Sequence, residues 1–440
     1  MPKTKMLMRL PEDRERRAAL RMTGRYLLTT EKGAHQEIAD KLSSSGFGAG
    51  VPIPPGVNVA RALARGDQLM LPHVGVAVVD PRPEQEDELH RLASQEEGVV
   101  ALEPERIVRA VGGDRWSDYV RGWRDAVDAL AGKLLEGSGP APSAAAVDLL
   151  ATWGLVATKV MNSRYSGAGI KLAVLDTGLD LTHPDFAGRQ IVTKNFVGDG
   201  VPFHDGYGHG THCTGTASGP AHPQKGPRYG IANQCLIFAG RVLDDNGSGG
   251  DFNILQGIDW AIENGCELIS LSVGAPWMPS DPPFSQAYES AAQHALAAGC
   301  LLVVAAGNEA GDPRYVGAVG TPGNSPSVLT VAAVDTTFAT APFSNRVEAD
   351  APGVKGPDLA GPGVDVYSAW PVADGQYKTI SGTSMATPHV AGIGALCAEA
   401  NPGIRGQALK DLLISSSLAL PNGGLRQGEV GRGIVQAPID

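Results

Sequence analysis

From Gly169 onward, short and almost wholly apolar runs alternate with longer stretches in which apolar residues recur every three or four positions. Residues 236–243, 268–273, 301–306 and 328–334 are runs of the first kind and predict strands buried on both faces. Residues 252–264 and 286–298 are of the second kind and predict helices. This alternation predicts an α/β domain built on a doubly wound parallel sheet. Functional groups in such sheets collect at the carboxyl ends of strands. Asp176 closes the apolar run 171–176, and Ala306-Gly307-Asn308 closes another, so both fall on that edge.

The first quarter of the chain has a different rhythm. Residues 26–30 and 74–79 read as strands, 84–94 as a helix and 99–104 as a strand again, within a strand-helix-strand-strand-helix-strand unit. That order predicts a small α+β, ferredoxin-like sandwich over 22–112, preceded by a tail, 1–21. Further on, Trp116, Tyr119, Val120, Trp123, Val127, Leu130 and Leu134 recur at helical spacing until Gly137-Ser138-Gly139-Pro140 breaks the pattern. Residues 113–150 are therefore expected to hold an amphipathic helix and a linker, and 151–440 the large domain.

With 440 residues and 42% hydrophobic content the chain can bury a large core. A formal charge of −11 with no basic cluster argues against a nucleic-acid partner. No uninterrupted apolar run is long enough to cross a bilayer. The basic start Met1–Leu10 runs straight into charged residues and leaves no apolar signal segment. Five cysteines, odd in number and without metal spacing, suit reduced thiols. A cytoplasmic monomer is expected, or a secreted one had a leader been removed or a non-standard route been used.

The candidate chemistry lies in three segments. Ser384, in Gly382-Thr383-Ser384-Met385-Ala386, sits where a loop turns into an apolar small-residue helix, next to unpaired backbone N–H groups that could hold an oxyanion. Pro388 fits the first turns of that helix, where it gives up only the bond to the Ser384 carbonyl. A serine hydroxyl needs a base and a group to orient the base. His209 opens a second small-residue helix in Gly208-His209-Gly210-Thr211-His212, and Asp176 ends a strand in Val174-Leu175-Asp176-Thr177-Gly178.

Three such motifs in the order Asp, His, Ser resemble the subtilisin-like serine proteases (subtilases, peptidase family S8). The cysteine in His209-Gly210-Thr211-His212-Cys213 and the run 242–249 look most like the proteinase K branch. The resemblance, which runs from about Trp153 to the C-terminus, implies an endopeptidase acting on peptides or proteins through an acyl-enzyme, with Asp176, His209 and Ser384 as triad. It also implies that Asn308 and the Ser384 N–H form the oxyanion hole, and that Gly249-Gly250-Asp251 and Ser272-Val273-Gly274 are the two edges that grip an extended substrate. Gly320 would floor the S1 pocket and admit large apolar P1 residues. Asp251 stands where the family often has a bulky S4 group, so a gain for Lys or Arg at P4 is expected.

The chemistry calls for no cofactor. Structural calcium is implied at the Pro322 and Asn324 carbonyls with the Asp335 carboxylate. Asp185 matches another family ligand, but the loop after it lacks the expected asparagine. His212 and Cys213 are expected to be structural. The α+β unit resembles the family's propeptide, an intramolecular inhibitor, with a cut expected within 108–113, or in the linker 137–146, or not at all. Two other readings are a dedicated cytoplasmic peptide-maturation protease or transpeptidase, and a catalytically silent peptide-binding protein.

Overall fold

The computed structural model describes residues 5–11, 21–48, 50–52, 68–111, 150–198, 201–420 and 428–439. The N-terminal unit comprises β1 (Met6–Leu7), β2 (Met22–Thr30), α1 (His35–Ser44), β3 (Gly50–Pro52), β4 (Gln68–Leu71), β5 (Val76–Val79), α2 (Glu86–Gln95) and β6 (Val99–Ala110). Its sheet runs in the order β1-β6-β2-β5-β4-β3. Alternation along β2 divides two cores. Tyr26 and Leu28 pack with Ile38, Leu42, Leu89 and Leu92 of the two helices. Leu27 faces the other way, into a cluster shared with the large domain. Both faces of the sheet are thus covered, which is why β5 is apolar at every position.

Two expectations are corrected by this unit. Residues 1–21 are not simply a tail: β1 pairs in parallel with β6, Leu10 is buried, and the Lys5 ammonium donates to the Ala93, Ser94 and Glu96 carbonyls at the C-terminal end of α2. The last strand does not stop at Pro104 but runs to Ala110, because strands of the large domain complete its pairing. The amphipathic pattern at 114–136 lies outside the described residues.

The large domain follows with α3 (Trp153–Ala157), β7 (Lys171–Asp176), β8 (Ile191–Asn195), α4 (His209–Ser218), β9 (Leu236–Arg241), β10 (Ser248–Gly250) and α5 (Asp251–Glu263). Next come β11 (Leu268–Leu271), β12 (Val273–Gly274), α6 (Gln286–Ala297), β13 (Leu301–Ala305), β14 (Leu329–Val334) and β15 (Leu359–Pro362). The hairpin β16 (Val366–Ala369) and β17 (Tyr377–Ile380) then leads into α7 (Thr383–Ala400) and α8 (Gly406–Ser415).

Seven parallel strands stand in the order β15-β14-β13-β11-β7-β9-β8, as the doubly wound reading requires. Leu172, Leu268, Leu301 and Val303 point to one face and pack with Val390, Ile393 and Leu396 of α7. Ala173, Leu175, Ile269, Leu271 and Leu302 point to the other, against Ile254, Ile258, Ala291 and Ala295 of α5 and α6. Because α7 is buried from Thr383 to Ala398, its apolar residues run all round the helix rather than along a stripe. No helix among the described residues is long and apolar enough to cross a membrane.

Candidate active site

Asp176 ends β7 and His209 begins α4, and one buried residue ties the two elements together. Asp205 accepts from the N–H groups of Tyr207, Gly208 and Thr211 and from the hydroxyls of Thr177 and Thr211. Its carboxylate thereby serves the unpaired donors of the α4 N-terminus and fixes the strand end beside it. Gly208 turns the chain into the helix at φ +97°, and a Cβ there would meet the Trp370 ring at 2.4 Å, so only glycine suits the turn. Sequence reasoning passes over Asp205, although an acid just before a helix is a readable sign.

His209 Nδ1 donates to Asp176 Oδ1 at 2.8 Å, both side chains being buried. Burial disfavours the imidazolium, but the Asp176 carboxylate and Cys213 outweigh it and hold His209 well above its ordinary value. That is the electrostatics a base needs if it is to carry a proton during the reaction. Nε2 is buried with no hydrogen-bond partner among the described residues. It therefore makes no hydrogen bond to Ser384, and the serine hydroxyl lies instead against the Val111 carbonyl and 3.1 Å from that of Ser272. Catalytic contacts of this kind are commonly loose before the reaction.

Ser384 occupies the second position of α7, and Pro388 cannot donate to its carbonyl. The Ser272 hydroxyl replaces that bond at 2.8 Å, and the Cys213 thiol lies at 3.5 Å. Cys213 also lies 3.8 Å from His209 Nδ1, so it touches both the base and the nucleophile's backbone. Asn308 Oδ1 accepts from the Thr383 N–H and hydroxyl, each at 2.9 Å. This fixes which end of the amide is which: Nδ2 is left buried and unpartnered among the described residues, a donor held ready beside Ser384. His212 Nε2, by contrast, donates to the Val366 carbonyl, and burial pushes the imidazole down to about 3, which suits a neutral structural residue.

The cleft is filled by β6. Val108 pairs with Gly249 and Ile107 with Gly250 on one side, and Ala110 with Val273 and Arg109 with Gly274 on the other, both antiparallel. The Val111 N–H donates to the Ser272 carbonyl at 3.0 Å, and the Val111 carbonyl receives the Ser384 N–H at 3.3 Å. Gly274 lies against the Val111 side chain, which a Cβ would approach to 3.3 Å. At Gly320 a Cβ would stand 2.5 Å from the Ala275 carbonyl, so the absence of a side chain is required by backbone approach.

Counting back from Val111, the fourth residue is Val108, which is fully buried in the apolar cluster containing Leu243 and Phe252. Asp251 does not line that pocket. Its Oδ2 accepts the Arg106 N–H, two residues further back, at 2.8 Å, so the expectation of a charged P4 site is corrected. The reason is register: the carboxylate opens α5, one step beyond the strand that pairs with Val108 and Ile107.

Residues 167–433 match the Subtilase family. The chain is 36% identical over 278 residues to proteinase T from Parengyodontium album, covering 60% of this chain and 85% of that protein. It is 36% identical over 259 residues to subtilisin E from Bacillus subtilis (strain 168), covering 59% of this chain and 63% of that one. The crystal structure of a cold adapted subtilisin-like serine proteinase superposes with a TM-score of 0.52 at 32% identity, over 66% of this chain and 99% of that chain. A buried Asp–His pair at the strand edge, a serine at a helix N-terminus and these likenesses agree, and the chain belongs to the subtilase family of serine proteases.

Proposed function

We propose that the chain is a serine endopeptidase made as a self-inhibited precursor, with residues up to Val111 as prodomain and the Val111–Gly112 bond as its own first substrate. One observation carries this reading: Val111 presents its carbonyl to the Ser384 hydroxyl and N–H from a strand gripped on both edges. In the reaction, His209 Nε2 takes the Ser384 proton as Oγ attacks the Val111 carbonyl carbon. Asp176 holds the imidazolium so formed, and the oxyanion is received by Asn308 Nδ2 and the Ser384 N–H. The imidazolium then protonates the Gly112 amine as it leaves, and water, deprotonated by the same imidazole, releases the Val111 carboxylate.

Intact-mass measurement of the full chain beside its Ser384→Ala variant tests this. Self-processing predicts a chain beginning at Gly112 in the wild type only. Equal, full-length masses would reject self-processing.

A calcium ion held by the Pro322 and Asn324 carbonyls and Asp335 belongs to the same proposal. Asp335 Oδ1 already accepts from the Thr337 N–H and hydroxyl and the Ala339 N–H. Oδ2 has no donor among the described residues and is the oxygen a cation would take, which fits a site of oxygens only. Asp185 fits none: its oxygens accept from the Gln224 N–H and the Tyr229 and Tyr377 hydroxyls. Chelation should lower the melting temperature, and an unchanged value would remove the ion. A reducing compartment is the setting proposed, supported by five buried, unbridged cysteines.

A further inference from the structure

We propose that the substrate cleft extends to a sixth non-primed position, where Asp251 and Asp281 select Arg or Lys six residues before the bond that is cut. The inference rests on the endopeptidase reading and names part of its substrate class. Val108 is buried among apolar residues of the large domain, and the Arg106 side chain is turned to two of its acids and only 17% exposed, while Arg109 is exposed.

Arg106 is where the strand meets two acids of the large domain. Its Nε lies 3.8 Å from Asp251 Oδ2 and its Nη1 3.7 Å from Asp281 Oδ2. Asp251 Oδ2 also accepts the Arg106 N–H, so one carboxylate holds the main chain and faces the side chain of the same residue. The other Asp251 oxygen is fixed by the Tyr288 hydroxyl at 2.8 Å, which aims the acid rather than leaving it to rotate.

Asp251, Asp281 and Tyr288 all belong to the large domain and remain when β6 leaves. Two carboxylates are then left facing a place where a cation stood, and a peptide with a basic residue there refills it at the least desolvation cost. Glu103, in the prodomain, also faces Arg106, but an ordinary substrate lacks that neighbour, so the two aspartates alone must suffice.

The test uses full-length protein, its active sites counted with a fluorophosphonate probe, and internally quenched peptides of the chain's own residues 105–115. Position 106 is varied among Arg, Lys, Gln and Glu, and position 109 between Arg and Gln. Arg and Lys at 106 should raise kcat/KM about tenfold over Gln, chiefly through KM, and the gain should shrink at high salt. The change at 109 should matter by less than about twofold. Asp281→Arg should reverse the preference in favour of Glu at 106.

In the intact chain, Arg106→Glu should speed labelling of Ser384, and Asp281→Arg should reverse that gain. Cleavage of the four peptides that differ at 106 at rates within about twofold, or unchanged labelling of the Arg106→Glu chain, would overturn the subsite. No cleavage together with no labelling would overturn the endopeptidase reading as well.

Discussion

Three helix N-termini in this molecule face the same segment, β6 with Val111 just after it, and they treat negative charge differently. At α7, the Ser384 N–H meets only a neutral carbonyl, that of Val111. At α5 and α6 the corresponding donors hold carboxyl groups of the N-terminal unit: Glu105 accepts the Phe252 N–H at 3.0 Å, and Glu103 accepts the Ala287 N–H at 2.9 Å. The physics is common to all three, since each helix start offers unpaired N–H groups and the positive end of a dipole. What differs is timing. At α7 the charge exists only while the oxyanion lasts, so the donors are kept vacant of permanent acids. At α5 and α6 the acid is a fixed, buried side chain, and burial pushes both glutamates up despite the helix donors.

That contrast is broken most severely by removing the donor poised for transient charge. Asn308→Ala should slow self-cleavage of the full chain by about 10²–10³-fold, the loss known for the matching amide of a subtilisin. The variant also strands the buried Thr383 N–H and hydroxyl, so its melting temperature should fall, and the cleavage rate is compared at a temperature where both chains are folded. The check is the time course of intact mass, and a rate within about threefold of wild type would show that the amide does not serve the oxyanion.

Removing a fixed acid should matter less. Glu105 also accepts from the Thr23 hydroxyl and the Arg25 guanidinium, and is itself buried. Glu105→Ala strands the Phe252 N–H and leaves a partly covered arginine unpaired, at a cost of about 3 kcal/mol. Prodomain hold should weaken roughly a hundredfold, read as faster fluorophosphonate labelling of Ser384 in the full chain.

The poised site is legible in the sequence and the permanent one is not. Asp176, His209, Asn308 and Ser384 each follow a strand or open a helix within a short local motif, so their positions follow from backbone geometry set by a few neighbours. The parallel sheet is legible for a related reason, because strands covered on both faces must be apolar throughout. Glu103 and Glu105, in contrast, carry no local motif, and their roles emerge only where the N-termini of α5 and α6 are brought against them. Asp251 stands two positions from its expected subsite for the same reason: its partner is decided by the register of β6 against β10, a tertiary pairing that neither segment encodes locally. The edge strand β1 escapes the sequence pattern because two residues are too few to show alternation.

The smallest effect expected is also the one that isolates a fixed acid from all else. Glu103 is raised from its ordinary 4.5 to about 7 when docked, through burial that the Ala287 N–H, Arg106 and Ser285 offset only in part. Being raised in the docked state, its acid form is the one that docking favours. Its contribution is therefore complete below about pH 4.5 and is lost as pH rises through about 7. Glu105, Asp251 and Asp259 at the same interface are raised by burial too, and push in the same direction. The prodomain should accordingly hold more weakly at pH 8 than at pH 6, by several-fold. Labelling of Ser384 also depends on His209, so the quantity to follow is the ratio of wild type to Glu103→Gln at each pH, in which the imidazole cancels. A ratio that climbs between pH 6 and 8 assigns the dependence to this carboxyl, whereas a flat ratio means that the helix donors have fully offset its burial and that the three N-termini differ less than their geometry implies.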